Sequence, residues 1–181
     1  MGAWAEPTPA GVKLVPVETA EQMLDACQAE LPVDIAICAA AVTDWRPSEP
    51  ATQKLKKKAG ATAPTLNLTE TPDILAHLSK PGPTRPALVV GFALETENLI
   101  QNATAKLVAK GCDWIVANEA TQDSTVFGSN TNSVALVTSA GTEFWPRTSK
   151  QEVGRLLAAS VADNLTATCD IAQQTGTVRS A

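Results

Sequence analysis

Short continuous apolar runs alternate along the chain with stretches in which apolar residues return every third or fourth position. The runs predict strands: "VKLVPV" at 12–17, "VDIAICAAAV" at 33–42, a short "TLNL" at 65–68, "RPALVVGFALET" at 85–96 and "DWIVAN" at 113–118. Those at 33–42, 85–96 and 113–118 are unbroken enough to be buried on both faces, as strands are when helices cover a sheet. Between them "ETAEQMLDACQAEL" has helical spacing, with Met23, Leu24, Cys27 and Leu31 on one side and Thr19 and Gln22 placed as a capping box. "TPDILAHLSK" opens like a helix, with Thr71 at the N-cap and Pro72 at the first helical position. "NLIQNATAKLVAKG" carries Leu99, Ile100, Ala103 and Leu107 on one face and stops at Gly111. "SVALVT" (133–138) and "TEFWP" (142–146), joined by "SAG", predict a hairpin. A last helix begins at Ser149, with Glu152 completing another capping box, and runs through Val153, Leu156, Leu157 and Val161. After Asn164 the pattern fades, leaving 165–181 as a polar tail behind a domain at 1–164.

Strands alternating with helices predict an α/β fold, a Rossmann-like and mostly parallel sheet with flanking helices and a C-terminal β-hairpin. Ligands of such sheets sit outside the carboxyl ends of the strands. That places Cys38–Asp44, Gly91–Thr96 and Ala117–Asn118 on a candidate rim. The usual opening of a doubly wound sheet, a strand followed by a glycine-rich turn, is not found at the start, and neither GxGxxG nor GxxxxGK[ST] occurs.

Composition narrows the classes. With 181 residues, 44% of them hydrophobic and 18% charged, the chain has material for one sizeable core. A net charge of −5, 4% aromatics and no tyrosine argue against nucleic acid as a partner. No run of eighteen apolar residues and no basic-then-apolar leader is readable, so neither membrane nor secretion is expected and the location reads as cytoplasmic. Cys27, Cys38, Cys112 and Cys169 form no CxxC pair and His77 stands alone, which predicts reduced thiols rather than a disulfide or zinc framework.

Against that acidic background, "QKLKKKAG" (53–60) puts Lys54, Lys56, Lys57 and Lys58 within five positions, four of the fourteen basic residues. Like charges so close repel one another. They fit either a solvated surface loop or a loop that closes on polyphosphate and neutralises charge developing during transfer. "AAAVTDWRP" (39–47) ends a strand with small residues, where a backbone can approach a ligand, then gives Asp44 and Arg46. These two read as a nucleotide seat or as a surface salt bridge. Lys106 and Lys110 lie four apart on one helix face, either facing a pocket or favouring the helix C-terminus. "TPDIL" offers a helix start to an anion, or is simply a capped helix. Cys38 and Cys112 read as small core residues, and His77 as a surface helix residue.

The segments "CAAAVTDWRP", "QKLKK", "TPDILA", "VVGFALET", "KLVAKGCDWIVAN", "FGSNTNSV" and "TSKQEVGRLLA", in this order over roughly 12–164, together resemble the phosphopantothenoylcysteine synthetase (phosphopantothenate–cysteine ligase) family. This is the synthetase half of the bacterial bifunctional coenzyme A biosynthesis flavoprotein. The resemblance implies a two-step ligation: CTP activates the phosphopantothenate carboxylate as an acyl-cytidylate, releasing pyrophosphate, and the cysteine amine then forms the amide. It implies nucleotide contacts at Cys38, Ala39, Ala40, Asp44, Pro72, Asp73, Ile74, Leu75, Phe92, Lys106 and Lys110, and a catalytic lysine of a mobile loop at Lys54. Magnesium is implied as cofactor, with no ligands assigned. A homodimer and fusion to a phosphopantothenoylcysteine decarboxylase domain are the implied partners.

Thr71 stands where the family more usually has asparagine, and Leu94 where a smaller residue is common. The family's Gly-Gly-Thr turn and its Asn-x-Ser-Ser-Gly segment, which help hold phosphopantothenate, do not occur in these residues. The sequence therefore reads as the synthetase domain without its first βα unit, expected to hold nucleotide but not to turn over alone. The competing reading is a non-catalytic nucleotide-binding remnant or partner module. An NAD-dependent oxidoreductase is disfavoured by the missing GxGxxG and acidic ribose ligand.

Overall fold

The computed structural model describes residues 8–49, 53, 56, 63–119 and 131–176. The chain divides into two compact units, one of Met1–Val89 with Lys110–Cys112, the other of Val90–Ala109 with Asp113–Ala181. In the first unit, α1 spans Ala20–Ala29. Its start follows from the side chains foreseen for it: Thr19 Oγ1 accepts the Gln22 amide hydrogen at 3.2 Å, and Gln22 Oε1 accepts those of Glu18 and Thr19 at 2.7 and 3.2 Å. Strand β1 is Ile35–Cys38, and Trp45–Pro47 (β2) pairs antiparallel with Leu68–Glu70 (β3). Helix α2, Ile74–Ser79, packs with α1 and β1. The Leu88 amide donates to the Asp34 carbonyl at 3.1 Å, so the amino ends of β1 and of the next strand, Leu88–Glu95 (β4), lie side by side.

The second unit holds most of β4, then α3 (Leu99–Lys110, its last residue counted with the first unit), β5 (Trp114–Glu119), β6 (Thr131–Thr138), β7 (Gly141–Ser149) and α4 (Lys150–Gly176). The main sheet has the order β1-β4-β5-β6-β7. β4 and β5 are parallel, in register from Val90↔Trp114 to Glu95↔Glu119, and β5, β6 and β7 are successively antiparallel. Val90, Ile115, Val116, Ala117 and Ala135 are fully buried, while α4 covers β6 and β7 with Val153, Leu157 and Val161 at four-residue spacing. This is the expected α/β sheet with flanking helices and a closing hairpin. Its strand directions are mixed.

Five local expectations are corrected. Residues 12–17 form no strand: Val12 donates to Pro9 in a turn with Gly11 at φ +80°, and Val12, Leu14 and Val15 are 56, 49 and 43% exposed. An apolar run without a neighbouring strand has nothing to complete its backbone bonds. The strand expected over 33–42 is confined to Ile35–Cys38 with Ile37 half exposed, because β1 is an edge strand and not an interior one. "TLNL" yields a strand only from Leu68 onward, set by pairing with Trp45–Pro47, which the apolar pattern does not mark. Asp73, not Thr71, caps α2: its Oδ1 accepts the Ala76 amide hydrogen at 2.9 Å, so the helix begins two residues later than foreseen. Ser149 Oγ does accept from the Glu152 amide at 3.1 Å, but the Glu152 carboxylate is gripped at both oxygens by Arg155, and α4 continues to Gly176.

Candidate functional site

In the first unit, β1 ends at half-buried Cys38, and Ala39, Ala40 and Asp44 follow as exposed residues. The Thr71 amide donates to the Asp44 carbonyl at 2.8 Å, tying this segment to the one that leads into α2. Pro72 and Asp73 come next, and the Asp73 carboxylate pairs with the ammonium of Lys110. The Cys38 thiol is pushed up to about 11 by burial first, then by the neighbouring Cys27, Cys112 and Asp73. It therefore stays protonated at neutral pH and acts as a small apolar surface, not a nucleophile. Cys38, Asp44, Pro72–Asp73 and Lys110 are thus brought together within one unit. Ile74 and Leu75 are 7 and 9% exposed; their side chains belong to the core and only their backbone can face a ligand.

Arg46 does not pair with Asp44. Its Nε lies 2.5 Å from Glu21 Oε1, a charge contact in which neither atom makes an aligned hydrogen bond. The Glu21 carboxyl is lowered mainly by its own backbone hydrogen bond, with Arg46 adding attraction.

In the second unit, Lys106 Nζ donates to the Phe92 carbonyl at 2.8 Å, fixing the lysine against β4. Phe92 and Leu94 are in register with Val116 and Asn118 on β5, so alternation puts all four on one sheet face. Asn118 Oδ1 is buried without a hydrogen-bond partner, as is Thr71 Oγ1 in the first unit. A buried polar atom without a partner costs stability, and a water or a ligand group can satisfy it. Asn118 lies on the rim expected from the strand ends, but neither residue was assigned a nucleotide contact. For Asn118 a signal exists, a lone amide closing the apolar strand "WIVAN" at its carboxyl end; for Thr71 none does.

Lys54, Lys57 and Lys58 lie outside the described residues, and Lys56 is exposed. Among the described residues no group of three or more histidine, cysteine, aspartate or glutamate side chains is placed to hold a metal, and no helix is long and apolar enough to cross a membrane. Among the described residues Cys27 and Cys38 are half-buried thiols outside any disulfide, and Cys112 is buried.

A parallel β4–β5 pair within a mixed sheet flanked by helices defines a Rossmann-like α/β protein. The profile of the "DNA/pantothenate metabolism flavoprotein C-terminal domain" family matches residues 1–165, and the chain belongs to that family. The "Coenzyme A biosynthesis bifunctional protein CoaBC" of Vibrio vulnificus is 38% identical over 145 residues, covering 80% of this chain and 36% of its own length. The protein of that name from Escherichia coli is 37% identical over 153 residues, covering 83% and 37%. The chain spans little more than a third of these relatives. A crystal structure of the C-terminal domain of a CoaBC protein matches with a TM-score of 0.66 and 30% identity, covering 90% of this chain and 72% of that one. The DNA/pantothenate metabolism flavoprotein of Streptococcus pneumoniae, 20% identical with a TM-score of 0.68, shares the fold.

Proposed function

We propose that the chain carries the synthetase chemistry of coenzyme A biosynthesis: CTP-dependent joining of phosphopantothenate to cysteine. The observation that carries this reading is the grouping of Cys38, Asp44, Pro72–Asp73 and Lys110 in one unit of a chain belonging to this family. In the first step the phosphopantothenate carboxylate attacks the α-phosphorus of CTP, forming a mixed carboxylic–phosphoric anhydride, the acyl-cytidylate, as pyrophosphate leaves. In the second the cysteine amine attacks the acyl carbon, the amide forms, and CMP departs. The first step brings one anion to another, so its barrier falls only where fixed positive charge meets the phosphates.

On this reading Cys38–Ala40 let the ligand approach the backbone, Lys106 and Lys110 supply charge, and Lys54 adds charge at the transferring phosphate. In the first unit the buried Thr71 hydroxyl can accept from or donate to a ligand. Magnesium would arrive with the triphosphate and keep most of its ligands from phosphate and water, with the exposed Asp44 as the carboxylate that would hold it. Its chemistry there is neutralisation of phosphate charge. The whole relatives are named bifunctional, which supports a fused decarboxylase half as part of the same proposal; a homodimer is proposed from the family resemblance alone.

Calorimetric titration with CTP and magnesium tests the reading. Saturable heat is expected below millimolar ligand; none at millimolar ligand, with folded protein, would refute it. Pyrophosphate release on adding phosphopantothenate, in a chain that also carries the family's phosphopantothenate-binding motifs, separates a ligase from a binding module.

A further inference from the structure

Asp73 holds two groups at once. One carboxylate oxygen accepts the Ala76 amide hydrogen at 2.9 Å and closes the first turn of α2, while the other pairs with the ammonium of Lys110 at the end of α3. At the opposite end of α2, Arg85 donates from Nε to the Ser79 carbonyl at 3.0 Å and from an Nη to the Gly111 carbonyl at 3.4 Å. The backbone on either side of the Asp73–Lys110 pair is therefore held independently of it, all within the first unit. What the pair fixes is the long lysine side chain itself, which is 31% exposed and otherwise has many rotamers to lose when it engages a ligand.

We propose that Asp73 is a positioning residue for nucleotide, acting through Lys110: its carboxylate keeps the ammonium pre-placed, so that binding does not have to order it. This rests on the reading of the chain as a nucleotide-using ligase. A carboxylate near phosphates also repels them. At 42% exposure that longer-range repulsion is screened by water, whereas the pairing with Lys110 is direct, so placement outweighs repulsion.

The cap and the pairing can be separated by substitution. Asparagine caps a helix as well as aspartate does, but its second atom is an amide nitrogen and cannot accept from a lysine. Asp73→Asn should keep its Tm within about a degree of wild type, and Asp73→Ala should fall by about 2–4 °C. Calorimetric titration with CTP and magnesium should show Kd raised roughly 3–10-fold by Asp73→Asn. In a Lys110→Ala background the same change should have no further effect, since residues that act through one another are not additive. Unchanged or tighter CTP binding by Asp73→Asn overturns the proposal. So does a loss that adds fully to that of Lys110→Ala, or a Tm as low as that of Asp73→Ala. Folded wild type that binds no CTP overturns the ligase reading and this assignment with it; any of the other failures, with wild type binding normally, overturns the assignment alone.

Discussion

The lysines matched to the family's nucleotide site meet different surroundings. Lys106 is held by a strand carbonyl and Lys110 by a carboxylate, so each gains a fixed position and only Lys110 has its charge offset. Lys54 belongs to a run of like charges, where one ammonium can substitute for another unless a specific one is aimed at the reacting phosphate. If the assignment is specific, Lys54→Ala slows pyrophosphate release on the order of 10²-fold, the size of losing one aimed donor. Stability should change by less than about 0.5 kcal/mol, the expectation for a lysine in a polar, strongly charged run of sequence. Lys58→Ala should stay near wild type. Equal losses from both substitutions would mean that the cluster acts as a diffuse field with no single catalytic lysine.

Elements were legible where burial, not pairing, creates them. β4 and β5 are long apolar runs that remain buried, and α1 and α3 carry both their spacing and their end signals in their own residues. β2 could not be read, because Trp45-Arg46-Pro47 has neither alternation nor strand propensity and is extended only by pairing with the distant Leu68–Glu70. The start of α2 was misread because Thr71 and Asp73 are both good caps. The choice falls to Asp73, whose carboxylate reaches the Ala76 amide, while the Thr71 amide is committed to Asp44. Gly111 shows a local signal that held: it ends α3 at φ +65°, a conformation open to glycine and costly to other residues. A side chain there meets nothing closer than Ser79 Cβ at 4.0 Å, so Gly111→Ala tests backbone strain alone. A loss of about 1–2 kcal/mol is expected in urea unfolding. Unchanged stability would show that the turn relaxes to another conformation.

At the scale of the whole molecule, ordered motifs named the candidate residues, but their mutual geometry was out of reach of the sequence. Nothing in the spacing shows that the Asp44 carbonyl meets the Thr71 amide, or that Asp73 leaves α2 to pair with Lys110, since both contacts join segments far apart in the chain. The carboxamide oxygen of Asn118 was hidden for a similar reason, because a missing partner is a property of the folded surroundings. A ligand that binds the native state and not the unfolded chain raises stability by mass action. With CTP and magnesium at a thousand times Kd, the gain is about 4 kcal/mol. For a protein of this size that corresponds to a Tm rise of roughly 8–16 °C, growing with the logarithm of ligand concentration. Magnesium pyrophosphate should give a smaller rise, because it lacks the base and ribose donors that a carboxamide oxygen such as Asn118 Oδ1 accepts from. A thermal scan at matched free ligand concentration decides the matter: equal rises for the two ligands would show that phosphate charge alone is recognised, and that the buried carboxamide oxygen takes no part.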